Sequence, residues 1–430
     1  MGSKRRVKRQ GHESAYVKRL ESLVDASQLL RSTLQLDKLL KVILELALKN
    51  LNAARGTIYL IDEVKRELWS KVLKGRELVE IRLPLGTGIA GTVAKTGKTI
   101  NLKDAWKDKR FFSGFDIRSG FQTKTMLCMP MKNRKNKIIG VFQIINKSRG
   151  AFNLEDELFL EAFSEHASLA IENAFLHRAM VEKEVVEREI KIAATIQQRL
   201  LPKDLPSVDR YQFEAVALPC KAIGGDYYDV IEIEDGEYVL VIADVSGKGI
   251  PAALLVSTLH AALHAYIRTS ISLSDLVEKL NESVFRDTPT EQYITFFVSV
   301  LNTKRNAFMY VNAGHNPPYM ISRGGKEAIQ LNVGGVPLGM FAKAEYETGT
   351  VELHPGDNIC LYTDGVTEAF SPSSEEYGER RFLRCLTVSK DLPLPELKDA
   401  ILRDIAAFTK SEPQSDDLTL LLLRRSDPHV

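Results

Sequence analysis

The chain has 430 residues and a formal net charge of +2, and it is 44% hydrophobic and 27% charged. This is an ordinary globular composition, long enough for two or three domains, and a charge so near balance does not single out nucleic acid as a partner. No apolar run reaches the length of a membrane span, and Cys128, Cys220, Cys360 and Cys385 show no CxxC or Cys/His metal spacing, which points to reduced thiols and a cytoplasmic setting.

The basic start, MGSKRRVKRQ, has no apolar stretch behind it and does not read as a secretory signal; residues 1–19 are expected to be a solvated, disordered tail. Residues 16–51 carry leucines at three- and four-residue spacing and read as helix, with Asp37 placed to cap a second segment. The period then changes. GTIYLIDEVKRELWSKVL reads strand, turn, strand, and MLCMPMKNRKNKIIGVFQIINK repeats the pattern. Helix returns over 155–201, a stretch without Gly or Pro. In its second half Ala179, Val186, Ile190, Ala193 and Leu200 share an alternating three-four register, interrupted by Lys183 and Gln197. This pattern leaves open both a coiled-coil seam and a helix packed on its own domains. Pro202 and Pro206 mark a domain boundary. From residue 210 strands dominate, with hairpin turns at 234–237 and 302–306 and helical stretches at about 250–286 and 395–409. Both halves read as α+β, the second as two sheets flanked by helices.

Four carboxylate sites in the second half share one pattern. Asp226 follows two glycines in IGGDYYD, and Asp244 ends the apolar strand of VIADVSGKG. Asp364 ends another strand in CLYTDGVTEA, while Asp416 and Asp417 precede a third in SDDLTLLLL. Carboxylates gathered at strand mouths repel one another unless cations neutralise them. Oxygen ligands without His or Cys suit magnesium or manganese rather than zinc, and two such ions can aim a shared water at a phosphoryl group. One Asp before Gly is usually a plain turn; four together point to a site. Beside them, Asp229 reads as a surface turn acid and Lys248 as a solvated turn lysine. His315, in NAGHNPP, reads as a loop histidine that bonds backbone and shapes the site rather than as a general acid.

GGDYYD, ADVSGKGIPAAL, NAGHNPP, YTDGVTEA and DDLTLLLL stand in the order found in metal-dependent protein phosphatases of the RsbU and SpoIIE type, bacterial relatives of protein phosphatase 2C in the PPM superfamily. Residues 190–425 resemble that family. The resemblance implies a dinuclear manganese or magnesium site that hydrolyses phosphoserine or phosphothreonine on a protein. It implies that Asp244 bridges both ions, that Asp226 and the Val245 carbonyl serve one, and that Asp364 and Asp416 serve the other, with Asp417 orienting the loop. The implied substrate is a small phosphorylated regulator of the anti-anti-sigma (STAS) type. The upstream arginine and the histidine acid of eukaryotic relatives are not evident here.

In the first half, GIAGTVAKTGKT looks like a phosphate loop, but five residues separate Gly91 from Gly97 where four are needed. LPLGTGIAGTVAKTGKTINLKDAWKDKRF, TKTMLCMPMKN, IIGVFQIINK and FNLEDELFLEAFSEHASLAIENA instead resemble a GAF domain, in order, over residues 20–178. Asn146, Lys147, Phe152, Asp156 and Glu157 match the signature of cyclic-nucleotide GAF domains, in which a Lys–Asp salt bridge supports the pocket. The resemblance implies a sensor or dimerisation module and leaves open a cyclic nucleotide, another small ligand, or dimerisation alone. Cys128, in a strand-like run, is poorly placed for bilin attachment.

The sequence thus reads as α+β throughout: a basic tail (1–19), a GAF sensor domain with an antiparallel sheet and helices (20–175), a linker helix (176–203) and a PPM-type phosphatase domain (204–430). The expected protein is a signal-regulated phosphatase with two divalent cations, a homodimer through the GAF domain and linker helix, without nucleic acid or a membrane span. One alternative is a non-catalytic, ligand-switched binding module on the same fold. Another, a cyclic-nucleotide hydrolase, needs a histidine-rich metal site, and the eight histidines form no such cluster in the sequence.

Overall fold

The computed structural model describes residue 33 and residues 35–74, 77–288, 292–323, 328–410 and 412–426. The expected tail and the helix expected over 16–32 lie outside the described residues. The chain divides into two compact units between Glu184 and Val185.

In the first unit, helix α1 (Leu36–Leu51) repeats apolar residues every fourth position, and Leu39, Ile43, Ala47 and Leu51 are fully buried. Gln35 stands at the N-cap; Asp37 falls inside the first turn, where its charge favours the positive end of the helix dipole. One antiparallel sheet follows, in the order β3-β2-β1-β6-β5-β4. The expected hairpins are β1 (Ala53–Asp62) with β2 (Glu67–Lys74) and β5 (Met126–Lys132) with β6 (Ile138–Lys147). β3 (Glu77–Pro84) and β4 (Ile100–Leu102) add its edges; three residues of β4 are too few to show a period. Helix α2 (Gly88–Thr96) covers one face, with Ile89 and Val93 against Tyr59, Cys128 and Val141. Gly97 closes α2 in the left-handed region, so Gly97-Lys98-Thr99 follow a helix end instead of opening a helix as a phosphate loop must. A short helix, α3 (Gly114–Ser119), precedes β5. The other face meets α1 and the start of α4 (Leu154–Gln198), where Phe159 and Phe163 join Leu127 and Phe142.

α4 is 45 residues long, and its buried residues end at Ala174. Beyond that point Met180, Val181, Val185, Val186, Ile192 and Ile196 are exposed. An apolar set this long without burial is uncommon on a lone helix.

The second unit stacks two sheets between helix pairs. One sheet runs β14-β11-β10-β9-β8, with β15 also on β11; the other runs β13-β12-β16-β17-β7. The strands are β7 (Tyr211–Leu218), β8 (Asp226–Glu234), β9 (Glu237–Val245), β10 (Ile294–Asn302), β11 (Ala307–Ala313), β12 (Tyr319–Ile321), β13 (Ala328–Gln330), β14 (Gly334–Gly335), β15 (Gly349–Glu352), β16 (Asn358–Tyr362) and β17 (Leu418–Arg425). Between the sheets, Tyr228, Leu240, Ile242 and Phe297 meet Leu361 and Leu421. Helices α5 (Ile250–Tyr266) and α6 (Leu273–Asp287) cover the outer face of the first sheet; α7 (Gly378–Ser389) and α8 (Leu394–Thr409) cover the second. The helix expected over 250–286 is two helices. Thr269 and Ser270 N–H both turn back to the Tyr266 carbonyl, and the Ser272 hydroxyl caps α6 through the Asp275 N–H. The architecture is α+β in both units.

Candidate active site

Strand alternation decides which way each acid points. Along β9, Tyr238, Leu240 and Ile242 enter the inter-sheet core, while Val239, Val241 and Ala243 face the helices. Asp244 continues the inner set one step beyond the core. Along β8, Tyr228 and Val230 are inner, so Asp226 is inner as well. The register sets Asp226 directly opposite Asp244, an arrangement of like charges that is destabilising in itself. Desolvation and then Asp244 push Asp226 well above the usual carboxylate range. Desolvation, followed by Asp364, Asp416 and Asp417, pushes Asp244 up to about 7, with Lys248 opposing. Burial and Asp416 raise Asp364 in the same sense.

The second sheet closes the site. Thr363, just past β16, and Thr419, in β17, donate their hydroxyls to the same Asp226 Oδ2 at 2.7 and 2.6 Å. Asp364 opens a single 3-10 turn whose Gly365 packs on the entry to β17. A Cβ at Gly365 would stand 2.0 Å from the Asp417 carbonyl oxygen, so only glycine fits. Asp417 is buried; its Oδ1 accepts the Cys220 N–H at 2.7 Å and its Oδ2 the Gly225 N–H at 2.5 Å, pinning the loop that leads into Asp226. Asp416 differs: Oδ1 accepts the Asp417 N–H at 2.9 Å, and Oδ2 pairs with Lys248 Nζ at 2.6 Å. Lys248 also donates to the Ser415 carbonyl at 2.7 Å; it is the exposed turn lysine that its motif suggests, with its charge paired to Asp416. Gly247 and Gly249 flank it at φ +96° and +86°, and this turn carries Lys248 across to Asp416. The Val245 N–H donates to the Gly225 carbonyl at 3.2 Å.

These donors are carboxylate and carbonyl oxygens held on two rigid sheets. Their mutual repulsion and the hardness of oxygen suit divalent cations of the magnesium or manganese class. Cys220 offers its sulfur within 4.8 Å of oxygens of Asp416 and Asp417, but burial pushes its thiol up and keeps it protonated.

His315 lies within the fold, 3% exposed. Its Nε2 donates to the Tyr362 carbonyl at 3.1 Å, its Nδ1 faces the Thr295 hydroxyl at 2.8 Å, and burial holds it down at about 4. It is a neutral brace between the sheets. Asp229 is no surface turn acid. It is buried on the opposite face of β8 from Asp226, under α5, with Tyr227 Oη at 2.7 Å and His264 Nε2 at 3.0 Å.

In the first unit, Lys147 pairs with the fully buried Asp156, which also accepts the Asn153 N–H at 2.9 Å. The Asn146 side chain accepts the Lys124 N–H at 2.6 Å and donates to the Gln122 carbonyl at 2.7 Å. Phe152 is core, and Asn101 bridges its carbonyl to Glu157. Together these residues tie β6 to the start of α4.

Sequence reasoning missed Gln197. Its Nε2 donates to the Gly224 carbonyl at 2.7 Å and its Oε1 accepts the Gly224 N–H at 3.2 Å, a two-way clamp two residues from Asp226. The signal was a polar residue at an apolar register position. Beside the clamp, a small cleft is lined by Gln197, Leu201, Ala222, Val256 and Asp226.

Keeping His315 neutral inside the fold has a pH signature. An unfolded histidine titrates near 6.5 and the folded one at about 4, so the unfolded state binds the extra proton first as pH falls. Stability is expected to drop between those values, by about 3 kcal/mol at most. Urea melts of wild type and His315→Gln across that range check it: the wild type should lose more stability than the variant, and equal losses would contradict the assignment.

Comparison with known proteins adds to this geometry. Residues 234–426 match the family described as stage II sporulation protein E (SpoIIE), and residues 35–171 match the GAF domain. Phosphoserine phosphatase RsbU of Bacillus subtilis is 31% identical over 255 residues, covering 56% of this chain and 71% of that protein. Dual 3',5'-cyclic-AMP and -GMP phosphodiesterase 11A of Takifugu rubripes is 38% identical over 141 residues, covering 30% of this chain and 16% of that protein. Among solved structures, the SiaA-PP2C domain of Pseudomonas aeruginosa aligns with a TM-score of 0.51 at 24% identity, covering 56% of this chain and 98% of that domain, which supports the fold. With an oxygen-lined acidic site between two sheets and these two matches in order along the chain, the chain belongs to the RsbU and SpoIIE family of serine/threonine phosphatases, with a GAF domain ahead of the phosphatase domain.

Proposed function

We propose that this phosphatase acts on phosphoserine or phosphothreonine of a small protein regulator of the anti-anti-sigma type. It uses two divalent cations of the manganese or magnesium class, and its GAF domain, as sensor or dimerisation module, regulates it through the linker helix in a cytoplasmic homodimer. The observation that carries the catalytic reading is the Asp226–Asp244 register pair, with Asp364 and Asp416 brought beside it by the second sheet. Asp226, Asp244, the Val245 carbonyl, Asp364 and Asp416 would hold the cations, Asp244 serving both. Such cations, when bound, supply charge to the phosphoryl transition state and lower the pKa of an attacking water.

The chain's own residues do the placing. Thr363 and Thr419 fix one oxygen of Asp226, and Asp417 holds the approach loop with both of its oxygens. Lys248 brings a positive charge to Asp416 at the rim. His315 is too deeply buried to hand a proton to the leaving serine oxygen. The name of RsbU, a phosphoserine phosphatase, supports the substrate class. For the GAF domain, the Lys147–Asp156 pair supports a scaffold role for the nucleotide signature.

Regulation would pass through Gln197. The exposed apolar residues of α4 fit a helix seam in the dimer, and a shift of the helix end would move Gly224 and so reset Asp226. Gln197→Ala is expected to weaken apparent manganese affinity by ~10–100-fold and leave the KM for a phosphopeptide near wild type. A manganese response equal to wild type would remove Gln197 from this role.

The direct test is phosphate release from a phosphoserine peptide and from a phosphorylated STAS-type protein, with manganese. Asp244→Ala and Asp364→Ala should each lose ~100-fold or more, and a phosphotyrosine peptide should be a poor substrate. A wild type silent on both substrates with either metal would favour the binding-module reading.

A further inference from the structure

The period-2 alternation of β8 that sends Asp226 between the sheets sends Asp229 to the other face, beneath α5. There it meets two histidines. His260 and His264 are one helical turn apart on α5, so they share a face, and their ring centroids lie 4.3 Å apart. His264 Nε2 is 3.0 Å from Asp229 Oδ2. One ligand atom from each of Asp229, His260 and His264 falls within 4.8 Å of the other two. The eight histidines therefore do yield a cluster, built by helix spacing plus a strand residue 31 positions upstream of the first histidine.

We propose that Asp229, His260 and His264 form a separate transition-metal site of the zinc class, on the opposite face of the sheet from the catalytic carboxylates. Two imidazoles and one carboxylate are the donor set that zinc and its neighbours select and that magnesium does not. Ligand atoms around tetrahedral zinc stand ~3.3 Å apart, so modest side-chain rotation closes the set. The carboxylate is already held: Val230 N–H donates to Oδ1 at 2.8 Å and the Tyr227 hydroxyl to Oδ2 at 2.7 Å. Supporting bonds of this kind fix ligating carboxylates in metal sites. The buried Asp229 is the floor and His264, exposed, is the mouth, which gives the ion a path from solvent. An ion here would staple α5 to β8, the strand that begins with Asp226.

The test uses the full chain carrying Asp244→Ala, which weakens competition from the catalytic carboxylates, and the histidine variants below separate the two sites. Zinc alone is titrated, and cobalt replaces it for a visible spectrum. One equivalent of zinc should be retained after dialysis, cobalt should give the bands of a low-coordinate nitrogen and oxygen site, and saturating zinc should raise Tm by about 5 °C or more. Adding His264→Ala should lower zinc affinity by ~100-fold or more; because that side chain is exposed, this variant is expected to fold, which circular dichroism checks. His260→Gln should give a similar loss. No bound zinc in the Asp244→Ala chain, or zinc retained equally after His264→Ala, would reduce the cluster to a hydrogen-bonded network and overturn the proposal.

Discussion

Asp226 and Asp244 sit across from each other on neighbouring strands, both turned into the gap between two sheets, and each raises the other's cost of ionisation. No apolar core requires acids in that position. Everything nearby manages the consequence. Two threonine hydroxyls from the second sheet share one Asp226 oxygen, Lys248 reaches over from a glycine turn to Asp416, and a glycine at 365 lets the second sheet come close enough to deliver Asp364. The two-sheet sandwich is the device that brings these distant stretches of chain to one edge. Hydrogen bonds lessen the strain of gathered carboxylates, and cations remove it.

β8 carries a second consequence of the same geometry. Its alternate residues face different worlds, Asp226 toward the sheet gap and Asp229 toward α5, three positions apart. The acidic edge is thus coupled through one rigid strand to whatever holds α5 in place. On the other side, the end of α4 holds Gly224 through Gln197. The loop entering Asp226 is consequently gripped by a helix that begins in the GAF domain, by Asp417, and by the strand it leads into.

Much of this was legible in the sequence because strand mouths declare themselves: Asp244 and Asp364 end apolar runs, Asp226 follows two glycines into another, and Asp416 stands just before one more. The hairpins, the long helix and the four acids follow from period and punctuation alone. Asp229 was not legible as a buried group, because nothing in YYDV tells which face of a strand a helix will cover. The histidines were legible only as an i, i+4 pair; their carboxylate partner comes from tertiary packing. The Lys248–Asp416 pair and the Gln197 clamp were not legible for a shared reason. A polar residue in a turn or on a helix looks solvated until the chain that folds back onto it is known. β4 escaped for want of length.

The central claim is that the Asp226–Asp244 edge is a cation site whose acids oppose folding when no cation is present. The most direct measurement is a pair of thermal melts, wild type and Asp244→Asn, each with and without manganese. The account predicts that Asp244→Asn melts above wild type without metal, because a buried like charge is gone, and that manganese raises the wild-type Tm and not that of the variant. A variant that melts below wild type without metal and still gains stability from manganese would contradict it.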